Sequence, residues 1–518
     1  MRLKAITIAG FLILLAALAQ GNFQSANARS SIQTLTFIGE DFASGSGAGY
    51  TITSEGLTLA DAALTAVYTS PTINVPIPFN AIVPEWDDEL PEGANLAIEF
   101  RTRKGNGSWS RWYAAHDNAD WHEDAADHDE KAGDMVIVPA NDVTHDWLQF
   151  RVSGGRYTHT APPLLRQLRF VLIDSSAGPT TAQLIAQQEA QNTAESIQPA
   201  DANSLPRPAV ISRSTWCTQP ECNYSDGLDY EPVTNLIMHH TVSSGTGDSA
   251  AAVRAIWDYH TFSKGWGDIG YNYLIDLNGV VFEGHLNQDY ENLDVIGTHS
   301  GDANAGGLGT ALIGNFTSPD EGSGIMPTSA MLNALADLFA WKADQRGIDP
   351  YDATQMVNVN WGLPNIMGHR DVYGGLNTLC PGGNAYSFLP WLRDAVANRI
   401  GYVSPYVYVD ETSAAFTKSS VSWYEGPAGC GNNGHSYYTW STTDPNLSTN
   451  WATWVLDVPA NGRYRIDIYA PYCDTDRGET FGARYTVNHA AGSNNVTLNH
   501  ETHIGLWMTL GEFDLATS

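Results

Sequence analysis

Hydrophobic period changes twice along this 518-residue chain. A period of 2 fits strands and a period of 3.6 fits helices, so each change marks a change of architecture. From about Ser31 to Ser175 the pattern is strand and turn, with Phe100, Trp109, Trp112, Trp147 and Phe150 spaced among polar residues and Leu164–Ile173 long and apolar enough for a buried strand. The middle of the chain alternates. Val233–His239 reads as a buried strand, and Ser249 as the N-cap of a helix through His260 that presents Val253, Ile256, Trp257 and His260 on one face. Tyr271–Asp276 and Val280–Glu283 read as strands about an Asn278-Gly279 turn, and Thr310–Phe316 as another strand. Thr328–Arg346 reads as a helix stopped by Gly347, and Leu389–Ile400 as a last helix. From Tyr406 on, strand patterning returns in Trp451–Val458, Arg463–Ala470 and Leu510–Leu515. The fold class that follows is multidomain: a central α/β domain over 211–402 between mainly-β sandwich domains over 30–175 and 406–518. The Gln-, Ala- and Pro-rich stretch 176–210 reads as a linker with a short helix at Gln183–Ala194.

Composition sets what the chain can meet. It has 26 basic and 57 acidic residues, a net charge of −31, and no basic patch or stripe. A nucleic-acid partner is excluded on that ground, and an anionic wall polymer or membrane would have to be held by specific contacts. Arg2 and Lys4 precede an uncharged 15-residue apolar run, Ala5–Ala19, and Ala26-Asn27-Ala28 offers a cleavage site. Residues 1–28 therefore read as a cleaved export signal, and the run is too short for a transmembrane anchor. A secreted, wall-associated, disulfide-permissive protein is expected, and a monomer. The His116–Glu130 block, rich in His and carboxylates, reads as a solvated acidic loop, since nothing in its spacing makes ligands converge.

Five cysteines, Cys217, Cys222, Cys380, Cys430 and Cys473, leave one over. The central segment also holds His239-His240 at a strand end and His369 in Gly368-His369-Arg370-Asp371. Two imidazoles and a thiolate are a sound zinc set that leaves a fourth position for water, whose pKa the ion lowers toward ~7. Among 15 His and 5 Cys, spacing alone does not single out this trio.

Arg213–Gly401 resembles the peptidoglycan recognition protein family, the type-2 N-acetylmuramoyl-L-alanine amidases related to T7 lysozyme. The landmarks, in order, are Arg213-Ser-Thr-Trp216, Ile237–Thr241 (IMHHT), Gly265–Ile275 (GWGDIGYNYLI), Thr298-His299-Ser300-Gly301 with Asn304, Gly309–Phe316, Gly368–Asp371 (GHRD) and Thr378–Gly382 (TLCPG). The resemblance implies a mixed sheet flanked by helices, a zinc ion held by His239, His369 and Cys380, and hydrolysis of the amide between N-acetylmuramic acid and L-alanine in peptidoglycan. It implies catalytic roles for Tyr271, whose hydroxyl orients the zinc-bound water or donates to the oxyanion, and for Thr378 as an oxyanion donor; His240, His299 and Asn304 are the candidate substrate-binding residues, with packing or loop structure as the alternative for each. Neighbouring strand residues face opposite ways, so His239 and His240 are not both ligands. The sequence departs from the family at Gly307, where Ser is common, and at His285, where Arg is usual. The alternative to catalysis is a recognition protein that binds peptidoglycan without cleaving it; the presence of Cys380 favours the enzyme.

With Cys380 as a ligand, four cysteines remain, which allow three pairings. Keeping each bridge within one domain gives Cys217–Cys222 and Cys430–Cys473. The C-terminal segment resembles golvesin or xanthan-lyase-type carbohydrate-binding domains, through Val409-Asp410, Trp423, Ala452-Thr453-Trp454, Gly462-Arg463-Tyr464, Ala483–Val487 with His489 and Gly492, Gly505-Leu506-Trp507 and Leu510-Gly511. Only five residues follow Phe513, so this domain is expected to be incomplete. Glycan or wall attachment is expected of both outer domains.

Overall fold

The computed structural model of the chain describes residues 31–117, 130–138, 144–194, 205–217, 219, 222, 228–245, 247–286, 294–322, 324–374, 378–402, 407–426, 435–471, 480–501 and 506–517. The expected export signal, nearly all of the acidic block, and Cys430 and Cys473 with their expected bridge lie outside the described residues.

The N-terminal region forms two antiparallel sheets of seven and six strands. Its long strands are β1 (Ala81–Glu89), β2 (Ala94–Arg103), β3 (His145–Arg156) and β4 (Leu164–Ile173). β1 pairs with β4 in one sheet and β2 with β3 in the other. Alternation turns Phe100 and Phe150 inward as direct cross-strand partners, and Phe150 meets Phe170 of the opposite sheet at 5.6 Å between ring centroids. The outward Trp109, Trp112 and Trp147 rings are stacked instead by Arg101, Arg103 and Arg151, at 4.5–5.1 Å.

β1 breaks the sandwich pattern, because Ala81 through Trp86 are all buried. Ile82 and Trp86 enter the sandwich core. Ala81 and Val83, with Val171 and Ile173 of β4, enter a second core shared with Val253, Ile256, Trp257 and Tyr259 of the central domain. A strand coated on both faces reads as a continuous apolar run, not as alternation. The stretch read as a linker shares in this packing. Helix α1 (Thr181–Ala194) buries Leu184 in the same core, donates from Thr181 N–H to Asp248 and reaches Val210 O through Gln188.

The central sheet has six strands, in the order β5 (Val210–Ile211), β8 (Val281–Glu283), β7 (Tyr273–Ile275), β9 (Gly307–Leu312), β6 (Asn235–His240) and β10 (Ile366–Gly368). Only β7 and β8 pair antiparallel; the sheet is mixed, as expected. Helix α2 (Ser249–Asp258) covers one face. Helices α3 (Ser329–Arg346) and α4 (Leu389–Arg399) cover the other, packing on Leu236, Met238 and Leu312. The cap of α2 is Asp248, whose carboxylate accepts from Ala251 N–H, and not Ser249, whose hydroxyl is spent on Asp276. A carboxylate at this end also meets the positive pole of the helix. Thr328 caps α3 by accepting from Met331 N–H, and Gly347 closes it in the left-handed region (φ 65°) that glycine adopts without strain. Two buried ion clusters hold the loops: Arg213 with Asp268 at 2.6 Å, and Asp294 between Lys342 at 2.7 Å and Arg346 at 2.8 Å. Cys217 and Cys222 are joined by a disulfide.

In the C-terminal region β11 (Gly462–Ala470) pairs with β14 (Leu506–Leu515), and β12 (Ala483–His489) with β13 (Gly492–Leu498), around a small core of Val487, Leu510 and Phe513. Among the described residues, no helix is long and apolar enough to cross a membrane.

Candidate metal centre

In sheets with parallel strands, sites form beyond the carboxyl ends of the strands. The register here pairs Met238 of β6 with Gly368 of β10, so His239, near the end of β6, and His369, just past β10, stand side by side with ring centroids 4.6 Å apart. Cys380 reaches them from the loop ahead of α4. Its backbone is fixed by Thr378 Oγ1, which accepts from Cys380 N–H at 2.9 Å, and by Arg370 N–H, which donates to Cys380 O at 2.9 Å. One donor atom from each of His239, His369 and Cys380 lies within 4.8 Å of the others, and all three residues are buried. A tetrahedral ion about 2.1 Å from nitrogen and 2.3 Å from sulfur needs the two about 3.6 Å apart. Cys380 Sγ and His239 Nδ1 are 3.6 Å apart. The donor set and its spacing therefore fit zinc.

Burial keeps His239 and His299 neutral. Burial, then the neighbouring His369, His299 and His240, hold His239 well below the usual histidine range. Burial and His369 bring His299 down to about 3. A neutral imidazole is the form that binds metal.

The other residues singled out in the sequence divide. Tyr271 is buried on the metal side of the sheet, its ring 5.5 Å from that of His239. His299 also packs on His239, at 5.0 Å, with Nδ1 2.9 Å from Ser300 Oγ. Thr378 sits at the cluster, its hydroxyl oxygen holding the cysteine loop. Two candidate substrate-binding residues also have structural partners. His240 faces away from the cluster, as strand alternation requires; it is buried, its Nδ1 accepts from Phe316 N–H at 3.3 Å, and its ring packs on Phe316. Asn304 spends its side-chain oxygen on the backbone N–H groups of His299 (2.8 Å) and Ser300 (2.7 Å), so it shapes the loop that presents His299.

Residues not singled out complete the site. Ser300 Oγ lies 3.3 Å from His239 Nε2 and orients that ring from the side away from Cys380. Asp371 accepts from Gly368 N–H at 2.9 Å and from Tyr386 O–H at 2.6 Å, which fixes the turn carrying His369. Glu321 accepts from Gly383 N–H and pairs with Arg370 at 2.9 Å, bracing the cysteine loop. His285 is buried and bonds Ile269 O at 2.9 Å. Ser300 and Asp371 stand inside quoted motifs; Glu321 acts across 62 residues that no local pattern links.

A mixed sheet with two His and a Cys converging at its carboxyl edge defines an α/β domain equipped to hold a metal ion. Residues 229–383 match the family described as N-acetylmuramoyl-L-alanine amidase, residues 407–518 the golvesin C-terminal domain, and residues 38–158 the peptidase C39 N-terminal domain. The chain thus carries a domain of the peptidoglycan recognition protein and type-2 amidase family, followed by a golvesin C-terminal domain. It is 27% identical over 254 residues to an N-acetylmuramoyl-L-alanine amidase of Sus scrofa, a match covering 47% of this chain and 38% of that enzyme. It is 29% identical over 184 residues to peptidoglycan-recognition protein LB of Drosophila melanogaster, covering 34% of this chain and 66% of that protein. The chain therefore spans less than two thirds of the length of either curated relative. The solved structure of wild-type Drosophila PGRP-LB aligns with 27% identity over 35% of this chain and 91% of that one, with a TM-score of 0.27.

Proposed function

We propose that this protein is a secreted, zinc-dependent N-acetylmuramoyl-L-alanine amidase that hydrolyses the amide between N-acetylmuramic acid and L-alanine in peptidoglycan. The observation that carries the reading is the convergence of His239, His369 and Cys380 with Tyr271 on one face of the sheet. Zinc, when bound, supplies Lewis acidity and lowers the pKa of water toward ~7. His239, His369 and Cys380 would hold it. Tyr271 donates its hydroxyl proton to the oxygen that gains charge as the amide is attacked. Thr378 accepts from Cys380 N–H, and its own hydroxyl proton serves the same oxygen. His299, neutral and packed on His239, lines the approach.

The competing reading is a peptidoglycan-binding protein without catalysis, a class to which the recognition-protein relatives lend weight. The buried thiol beside two imidazoles favours the enzyme, because glycan or peptide binding alone does not call for it. Exposing purified peptidoglycan to the protein and titrating new alanine amino groups tests the reading; none released by zinc-loaded protein would count against it.

A further inference from the structure

We propose that the N-terminal sandwich is a working part of this site: Glu85 of β1 and Tyr259, acting through His260, position Tyr271. The inference rests on the amidase reading. It begins where α2 ends. The helix does not stop at Asp258 but continues as one π-helical turn, Tyr259–Ser263, and such turns are frequent at functional sites. The turn sends Tyr259 toward the sandwich and His260 toward the metal side. Tyr259 is fully buried, and its hydroxyl donates to Glu85 Oε1 at 2.7 Å, 174 residues away in sequence. Glu85 is held in turn by Arg169 of β4 at 2.8 Å. Around this bond lies the core that β1 and β4 share with α2.

The next residue carries the contact inward. His260 is buried, accepts from Gly270 N–H at Nδ1 (3.1 Å), and packs on Trp266 at 4.4 Å and on Tyr271 at 5.6 Å between centroids. Gly270 immediately precedes Tyr271, so His260 holds the tyrosine through both its backbone and its ring. Tyr271 in turn packs on His239. Glu85, Tyr259, His260, Tyr271 and His239 form one unbroken run of contacts from the sandwich to the metal donors. A hydroxyl that stabilises charge must be held closely, since a displacement near 1 Å can cost on the order of 100-fold in rate. Glu85, Tyr259 and His260 are positioning residues in this account; none touches substrate.

The test uses the full chain, zinc-loaded, on a soluble muramyl peptide. Tyr259→Phe and Glu85→Ala are expected to keep one zinc per chain and an unchanged KM while kcat falls about tenfold. Glu85→Gln, whose amide oxygen still accepts from Tyr259, is expected to restore kcat to within about twofold of wild type. Adding Tyr259→Phe to Tyr271→Phe should lower kcat by less than about twofold more, because both act through one hydroxyl. A Tyr259→Phe protein with wild-type kcat, or effects that multiply with Tyr271→Phe, would overturn the proposal. Amide exchange at Gly270 separates this from failure of the amidase reading. If the wild type cleaves nothing, a fall of about tenfold or more in Gly270 protection in Tyr259→Phe still supports the positioning, and unchanged protection refutes it.

Discussion

Asp294→Asn tests whether the buried ion cluster behind the site does structural work. Asp294 is 1% exposed, and its carboxylate meets Lys342 Nζ at 2.7 Å and Arg346 Nε at 2.8 Å while accepting from Val233 N–H at 3.1 Å. Val233 lies just before β6, the strand that delivers His239, so the cluster ties α3 to the start of that strand. The substitution preserves shape and removes the charge, leaving two cations facing each other in a dry site. Breaking a buried pair in this way destabilises by about 3–5 kcal/mol. Lys342 keeps Gln345 as a partner at 2.8 Å, which argues for the lower end. At roughly 2–4 °C per kcal/mol for a domain of this size, Tm should fall by roughly 6–12 °C. Asp337→Asn is the control. Asp337 pairs with Arg399 at 2.6 Å, but its side chain is 55% exposed, so its loss should cost under about 1 kcal/mol. Burial pushes Asp294 up, but Arg346 and Lys342 together outweigh it and hold the carboxylate below its usual range, so its contribution is complete above the unfolded pKa near 4 and is lost as pH falls through the folded value. Calorimetry of both variants at pH 7 decides. Equal, small shifts for the two would refute the argument that burial sets the magnitude.

Cys380→Ser should lose zinc and activity together while retaining most binding to peptidoglycan, because a neutral hydroxyl is a poor ligand; near-normal activity would exclude the proposed chemistry. Tyr271→Phe should keep zinc and lose on the order of 10²–10³ in rate, the usual effect of removing one oxyanion donor, which metal analysis beside kinetics would show. In Gly309→Ala the new Cβ would lie 2.4 Å from the His299 ring, so that ring must leave His239, and kcat should fall with zinc content unchanged. His260 and His299 are both brought down to about 3 by burial and stay neutral when folded. The unfolded chain takes up those protons near pH 6.5, so stability should fall below that pH, by at most about 1.4 kcal/mol per pH unit for each histidine; urea midpoints of metal-free protein that do not change between pH 7 and 5 would contradict this.

Where local chemistry decides, the sequence was readable. Leu164–Ile173 is a strand over those residues, Thr328 caps its helix and Gly347 ends it. Alternation at His239-His240 turns the first ring onto His369 and the second onto Phe316. Two kinds of information were hidden. One is competition between adjacent polar groups: Asp248 takes the cap and Ser249 is diverted to Asp276, a choice set by a strand 27 residues on. The other is long-range packing. The second coated face of β1 is masked in the sequence by Pro84 and Glu85, and the partners of Glu85, Tyr259 and Arg169, lie far along the chain. The docked α1 was obscured by its Gln-rich surface, with Leu184 as the buried anchor. Asn304 sits in a motif that marks the site, but the motif does not say that its oxygen holds the loop carrying His299.

The central claim is that the cluster of His239, His369 and Cys380 cleaves one particular bond. Zinc-loaded protein and its Cys380→Ser variant should be incubated with purified peptidoglycan, and the soluble products resolved by mass spectrometry and end-group analysis. The account predicts stem peptides with free L-alanine amino termini and glycan strands with intact lactyl carboxylates, without new reducing sugar ends, and none of these from the variant. New reducing ends, cleavage within the stem peptide, or equal activity from Cys380→Ser would contradict it.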